Sequence, residues 1–151
     1  MARMILKAAA LAVAGLLAAS SAYAQDQGQD KSLYQRLGGY DAIAAVVDDF
    51  FGRLGADKLN GRFLATLADD RKMQARQLTI DFICNKTGGP CLYLGRDMLE
   101  THKGMGITQA DWNASIVDLN ATLDKFEVQG KEREEVLGFI ASLEPTIVDK
   151  N

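Results

Sequence analysis

Residues 87–108, TGGPCLYLGRDMLETHKGMGIT, decide the fold because they combine two turns with the chain's single histidine, His102. Gly88, Gly89 and Pro90 must end the preceding helix, since glycine tolerates a positive φ and proline lacks an amide hydrogen. Residues 96–102, RDMLETH, are long enough for about two helical turns that end at His102. Gly104 and Gly106 can then adopt the positive φ angles that let the chain turn after this helix. The stretch predicts a chain reversal, a short helix and a second turn.

Amphipathic helices are predicted on both sides of this stretch. Before it, a helix runs from Asp69 or Asp70 to about Lys86. After it, Thr108 and Asp111 form a variant capping box at the start of a helix. The apolar stripe of that second helix comprises Trp112, Ile116, Leu119, Leu123 and Phe126. A last helix is predicted from about Lys131 to Leu143, closed by Pro145. No segment alternates polar and apolar residues for long enough to indicate a sheet.

Farther toward the N-terminus, residues 41–54 (DAIAAVVDDFFGRL) place apolar residues at the three- and four-residue spacing of one helical face. A shorter helix, LYQRL, precedes them, with Ser32 as its N-cap. Gly38 and Gly39 break the chain between the two. An all-α domain is therefore expected.

The first 24 residues have the pattern of a cleavable export signal. Arg3 and Lys7 precede an apolar run that is too short to span a bilayer comfortably. Residues 22–24, Ala-Tyr-Ala, form a small-x-small cleavage site. We expect a signal peptide over residues 1–24, a polar linker over 25–32 and one domain over 33–148. After cleavage, no stable membrane span is expected.

Composition removes several classes of function. Cleavage leaves 15 basic side chains against 20 acidic ones, a net charge of −5, with no basic cluster that would suit nucleic acid or an anionic membrane. HExxH, GxSxG, P-loop and GxGxxG motifs are absent from the sequence. A single histidine cannot build a histidine-rich zinc site. By itself, such a residue is usually a surface or core residue.

Two interpretations of the apolar helical faces remain open at this point. The faces can pack on one another in a haem-free helical bundle. Alternatively, they can enclose haem, a flat apolar plate whose iron needs one basic nitrogen, with His102 as that ligand. Periodicity alone does not decide between the two.

The order of motifs resembles the group I truncated haemoglobins, shortened globins with a two-over-two helical sandwich. The likeness spans about residues 33–148. It rests on LYQRLGGYDAIAAVVDDFFGRLGAD, on the two Gly-Gly pairs and on the M-x-x-x-H-x-G-x-G-I string from Met98 to Ile107. The resemblance implies one non-covalent haem b per chain, with His102 as the axial iron ligand. Its second ring nitrogen would then donate to a carbonyl or water.

On the opposite side of the haem, the resemblance matches Phe50 and Phe51 to a Phe-Tyr pair whose tyrosine donates to the bound ligand. Phe51 cannot donate. We therefore expect faster oxygen release than in tyrosine-bearing relatives, unless another residue substitutes. Gln74, Gln77 and Thr79 are the candidates. A gapless match to Gly88 and Gly89 turns Thr79 toward the iron, whereas a slip of one or two residues presents a glutamine.

The remaining candidates would line the haem pocket, contact the haem propionates or form a disulfide. Arg96 and Lys103 are candidates for the haem propionates. Cys84 and Cys91 flank the Gly-Gly-Pro turn, which could bring their Cα atoms within the roughly 4.4 to 6.8 Å that a disulfide needs. The wall positions implied by the resemblance are Phe63, Leu64, Phe82, Ile83, Tyr93, Met98, Trp112, Ile116 and Leu119.

The leading hypothesis is a periplasmic haem protein that binds oxygen or nitric oxide. One alternative is nitric oxide dioxygenation or peroxidase-like chemistry, which would require a separate reductase, since the sequence carries no flavin or nicotinamide motif. The other is a haem-free helical binding module. A spectrum of the haem-supplied protein distinguishes the last from the others.

Overall fold

A computed structural model of the protein describes residues 31–149, and these residues contain no β-strand. The predicted signal peptide and the linker up to residue 30 lie outside the described residues. No helix in the described part is long and apolar enough to cross a membrane. The helices are α1 (Leu33–Arg36), α2 (Gly39–Ala56), α3 (Gly61–Ala65), α4 (Asp69–Lys86), α5 (Met98–His102), α6 (Gln109–Lys125), α7 (Gly130–Ala141) and α8 (Glu144–Ile147).

Capping boxes start α1 and α6, which confirms Ser32 as the N-cap of α1 and the predicted box at the start of α6. The Ser32 hydroxyl accepts from the Gln35 amide, and the Gln35 side chain accepts from the Ser32 amide. Thr108 and Asp111 exchange the same pair of bonds at the start of α6. Each box satisfies two amide hydrogens that have no partner inside the helix.

The long helix α2 packs against α1, α3, α4 and α6. Its buried face presents Ile43 and Val47 to Ile80 and Cys84 of α4, and these four residues form the core cluster. Their spacing of four residues on each helix is that of one face of an α-helix. The core therefore lies between α2 and α4.

The reversal after α4 depends on two glycines. Gly88 has φ +85°, in the left-handed region that favours glycine. A Cβ on Gly89 would lie 2.5 Å from the Tyr34 ring and 2.6 Å from the Cys84 sulfur. Glycine is thus required at position 89 because two side chains pack against its backbone.

Two short helices differ from the sequence-based expectation. The expectation placed no helix at residues 61–65, where α3 forms. Pro145 does not close the last long helix: α7 ends at Ala141, and Pro145 lies at the start of α8. Proline is compatible with the first turn of a helix because the amide hydrogens there lack helical partners in any case.

Candidate functional site

His102 is the last residue of α5 and is half-buried. Its Nδ1 lies 2.8 Å from the carbonyl oxygen of Met98. Because a carbonyl oxygen only accepts, we assign the ring proton to Nδ1. The other ring nitrogen, Nε2, then carries a lone pair that can bind a metal.

Contacts on both sides hold the five-residue helix α5 in place. On its N-terminal side, the Asp97 carboxylate accepts from the Glu100 amide at 2.8 Å and caps the helix. On its C-terminal side, Gly104 and Gly106 turn the chain, with φ of +76° and +67°. The buried Ile107 then accepts from the Asp149 amide at 2.9 Å, and α5 itself packs against α8. The position of His102 therefore depends on residues near both 97 and 149.

An aromatic cluster joins α4 to the segment before α5. Phe82 is buried and packs edge-on against Tyr93, with ring centroids 5.0 Å apart. The Phe139 ring of α7 lies 5.7 Å from the Phe82 ring. Phe139 was not among the residues predicted from the sequence to line the site.

Two further pairs of expected wall residues come together. Phe51 and Leu64 share an open cavity of about 450 Å³ between α2, α3 and α4, which Met73 also lines. Trp112 and Ile116 share a second cavity of about 330 Å³ with Leu137 of α7. Leu119 is buried on the same helix as Trp112.

Three other wall positions are half-buried. Ile83 packs on the core cluster, whereas Met98 supplies the carbonyl that receives His102. Phe63 lies beneath the Arg62 guanidinium, at 4.3 Å from the ring centroid. Phe50 contacts Phe51 edge-on at 6.5 Å.

The three candidate donors on α4 differ in their exposure and in their hydrogen-bond partners. Gln77 is exposed, and its amide donates to the Tyr40 hydroxyl at 2.7 Å and to Asp81 at 3.0 Å. Gln74 is exposed as well and accepts from Arg71. Thr79 is half-buried, and its hydroxyl donates to the Ala75 carbonyl at 2.9 Å. Both glutamines are therefore held by bonds at the surface, and the gapless register that turns Thr79 toward the iron stays a prediction.

The carboxylate of Asp49, which was not among the residues predicted from the sequence, holds α2 against α6. Asp49 accepts from Thr122 at 2.9 Å, from Arg53 at 2.7 Å and from Lys125. The Lys125 ammonium first, and then the Arg53 guanidinium, lower the pKa of Asp49 to about 2. Asp49 lies two residues before Phe51, so this network anchors the part of α2 that carries both candidate phenylalanines.

A second carboxylate connects α3 to the start of α6. Asp111 is buried and accepts from Arg62 at 2.7 Å and from the Thr108 amide at 2.8 Å. The Arg62 guanidinium lowers the pKa of Asp111 to about 2, against the opposing effect of burial. The network holds the corner at Phe63 and Leu64 against α6.

Cys84 and Cys91 form a disulfide, with Cα atoms 5.8 Å apart. Cys84 is fully buried in the last turn of α4, and Cys91 is half-buried in the segment that leads to α5. Arg96 and Lys103 are both exposed; Lys103 lies 3.5 Å from Glu100.

Comparison with known proteins identifies the family. Residues 32–149 match the family model described as bacterial-like globin. The Group 1 truncated hemoglobin of Mycolicibacterium paratuberculosis is 34% identical over 117 residues, which cover 77% of this chain and 83% of that protein. The chain is a group 1 truncated haemoglobin. A related protein from Tetrahymena pyriformis is 36% identical over 98 residues, covering 65% of this chain and 78% of its own length.

Solved structures agree with this assignment. The Fe(III) form of the Tetrahymena pyriformis truncated hemoglobin superposes with a TM-score of 0.71 at 29% identity, covering 80% of this chain and 100% of that one. The 2/2 hemoglobin from Synechococcus sp. gives the same TM-score and coverage at 26% identity. The two-over-two globin fold expected from the sequence is thereby confirmed.

As a truncated haemoglobin, the chain binds one haem b non-covalently. The residues of this structure fit that cofactor. The Nδ1 of His102 is bonded to a backbone carbonyl, the arrangement that presents a neutral imidazole Nε2 to a metal. Phe82 and Trp112 are buried and Phe82 packs against the Tyr93 ring, so these expected wall residues supply the apolar interior that a porphyrin requires.

Proposed function

We propose that this truncated haemoglobin binds oxygen or nitric oxide reversibly at an iron that His102 ligates through Nε2. The observation that carries the proposal is the 2.8 Å contact between the His102 Nδ1 and the Met98 carbonyl. That bond fixes the ring orientation and the tautomer, and it increases the basicity of the opposite nitrogen. The haem iron supplies the coordination of the diatomic ligand. The protein supplies the ligating nitrogen and an environment of low polarity.

The side chains on α2 and α4 support binding of a small uncharged ligand. The Phe51 side chain has no hydrogen-bond donor, and the Thr79 hydroxyl donates its hydrogen to the Ala75 carbonyl. The cavity beside Phe51 and Leu64 is lined mainly by apolar groups, and its two cations, Lys72 and Arg76, are paired with carboxylates, so it suits a ligand that makes no strong hydrogen bonds. This environment favours nitric oxide over oxygen, because the more polarised bound oxygen gains more from a hydrogen-bond donor.

Replacement of His102 tests the ligation. His102→Gly should lose the ferrous and ferric absorption bands of a histidine-ligated haem when haem is added to the purified protein. Added imidazole should restore them, because a free imidazole can occupy the space of the deleted side chain. Glu100→Gln, at an exposed position of the same helix, is the matched control and should retain the wild-type spectrum. A wild-type spectrum in His102→Gly without imidazole would exclude His102 as the ligand.

Export is a second part of the proposal, supported by the N-terminal sequence. Residues 1–24 have a basic start, an apolar stretch and the Ala-Tyr-Ala site. We propose that the mature protein begins at Gln25 in the periplasm. The mass of the protein recovered from a periplasmic extract should lack these 24 residues. Substitution of Ala24 by a bulky residue should block cleavage, whereas recovery of the intact chain from wild-type cells would contradict the proposal.

A further inference from the structure

The disulfide clamp, by which we mean the Cys84–Cys91 bond, lies on the connection between two helices of the site. Cys84 belongs to the last turn of α4, two residues after Phe82. Cys91 begins the segment that leads to α5, two residues before Tyr93. The clamp and the Phe82–Tyr93 contact therefore fix the same segment to the same helix.

The fixed segment continues to His102 through backbone contacts. The Tyr93 hydroxyl donates to the carbonyl of Arg96, and the next residue, Asp97, caps α5. A helix of five residues is not stable by itself, because nucleation costs more than so few hydrogen bonds return. The helix that carries His102 thus depends on its two flanking anchors: the clamped segment before it, and Ile107 with α8 after it.

The two sulfur atoms differ in access and in chemistry. Cys84 has no exposed surface, whereas Cys91 is half-buried, so an attacking thiolate reaches the Cys91 Sγ first. The leaving sulfur is then that of Cys84, which lies at the C-terminal end of α4. The partial negative charge there disfavours a thiolate. The mixed disulfide consequently reverts readily, and opening requires a reductant that can resolve it with a second thiol.

We propose that Cys91 is a thiol–disulfide exchange site at which a dithiol reductant opens the clamp and thereby loosens α5, the helix that carries His102. One thiolate of the reductant bonds to the Cys91 Sγ and displaces the Cys84 sulfur, which takes up a proton. The second thiol attacks the mixed disulfide and releases Cys91, which is protonated in turn. The reductant becomes a disulfide, and the protein gains two electrons and two protons. The effect on haem rests on the proposed function; the exchange chemistry does not.

The exchange itself is tested on the folded, haem-loaded mature chain. Dithiothreitol should expose two alkylatable thiols, and a monothiol at equal thiol concentration should do so about tenfold more slowly, because it cannot resolve the mixed disulfide internally. Opening only after denaturant is added would overturn the proposal. Equal rates with the two reagents would overturn the rapid reversal of the mixed disulfide and the requirement for a dithiol reductant.

The structural consequence is tested by hydrogen exchange. Relative to the oxidised protein, amides of residues 91–102 should exchange about tenfold faster in the reduced protein and in Cys84→Ser/Cys91→Ser, while α2 and α6 keep their protection. Haem transfer to an excess of a haem-scavenging apoprotein should accelerate in the same samples. The double variant treated with dithiothreitol is the matched control and should not change further. Unaltered exchange across 91–102 would refute the coupling.

The two proposals fail separately. If His102 does not ligate iron, the haem spectrum is abnormal, but faster exchange across residues 91–102 can still be observed in the haem-free chain. If the clamp does not control α5, the haem spectrum and the haem-transfer rate are the same in oxidised and reduced protein.

Discussion

At the scale of single residues, Phe51 is the side chain on which the proposed ligand preference depends. Its ring packs against the core cluster of α2 and α4 and lines the cavity that Leu64 shares. On α4, the Thr79 hydroxyl donates to its own helix, and Gln77 is bonded at the surface. Under the proposed function, the absence of a hydroxyl at residue 51 would therefore govern the ligand preference.

Phe51→Tyr should slow oxygen release by about fivefold to about 150-fold, since a new hydrogen bond to a polarised ligand contributes about 1 to 3 kcal/mol. Stopped-flow measurement of oxygen dissociation checks this. Phe50→Tyr, on the adjacent ring, is the matched control and should leave the rate near wild type. Thr79→Val should also have little effect. A Thr79→Val variant that releases oxygen much faster would show that the threonine, contrary to its bond with Ala75, already serves as the donor.

The sequence leaves fewer alternatives on the His102 side than on α4. The spacing of glycines around His102 leaves one register for α5, so family resemblance transfers directly to that residue. On α4, Gln74, Gln77 and Thr79 all lie within six positions, and a slip by one residue rotates the helix by about 100°. The structure shows that Ile80 and Cys84 face α2, a tertiary contact that the sequence pattern does not contain.

At the scale of elements, a side-chain cap or a long apolar periodicity made a helix predictable. The helices α1 and α6 have such caps, and α2, α4 and α7 have the periodicity without a cap, whereas α3 has neither. Ser32 and Thr108 begin α1 and α6 as expected from their sequence. By contrast, α3 has no side-chain cap. Its first turn is held by the Asp57 carboxylate, which accepts from two amides, and by Asn60, whose amide donates to the Asp111 carbonyl. Such a helix is formed by contacts with α6 that a local pattern does not contain.

The carboxylate of Asp118 on α6 weakens the packing of its helix. Its Oδ2 is buried and has no hydrogen-bond partner among residues 31–149. Burial, with a smaller contribution from the Asp57 carboxylate, raises the pKa of Asp118 above its ordinary value. The folded state thus holds the proton more tightly than the unfolded chain does. The ionised group costs stability at neutral pH, and this cost disappears as the pH falls below the ordinary pKa.

Asp118→Asn should raise the free energy of unfolding at pH 7 by about 0.5 to 1 kcal/mol, because the amide removes the buried charge with little change of shape. The gain should shrink toward pH 3.5, where the wild-type carboxyl is protonated in both states. Thermal unfolding followed by circular dichroism at the two pH values measures it. Asp70→Asn, at an exposed position of α4, should give no gain. A destabilised Asp118→Asn protein at pH 7 would contradict the assignment.

At the scale of the whole molecule, residues distant in sequence hold the helix that carries His102. The Asp149 amide bonds to Ile107, and α8 packs against α5. Arg36 of α1 similarly reaches Glu132 and Glu135 of α7. The motif order of the sequence predicted the overall fold. No sequence feature indicated that α8 packs against α5, the helix that carries His102.

Removal of residues 144–151 should therefore accelerate haem loss several-fold while preserving most of the helix content, since it deletes one of the two anchors of α5. Haem transfer to a scavenging apoprotein and far-ultraviolet circular dichroism provide the two measurements. Removal of residues 150 and 151 alone is the control and should change neither. Equal haem retention in the shorter chain would show that the contacts before α5 suffice.

The packing of α5 against α8 also sets an order of events during folding. The pairing of α2 with α4 is complete in a chain that ends near residue 90, but α5 obtains its second anchor only when residues 144–149 have been added. A chain still being synthesised or translocated can thus assemble its α2–α4 core while the histidine remains unplaced. Tight retention of haem is therefore expected to follow the addition of residues 144–149, after the α2–α4 core has formed.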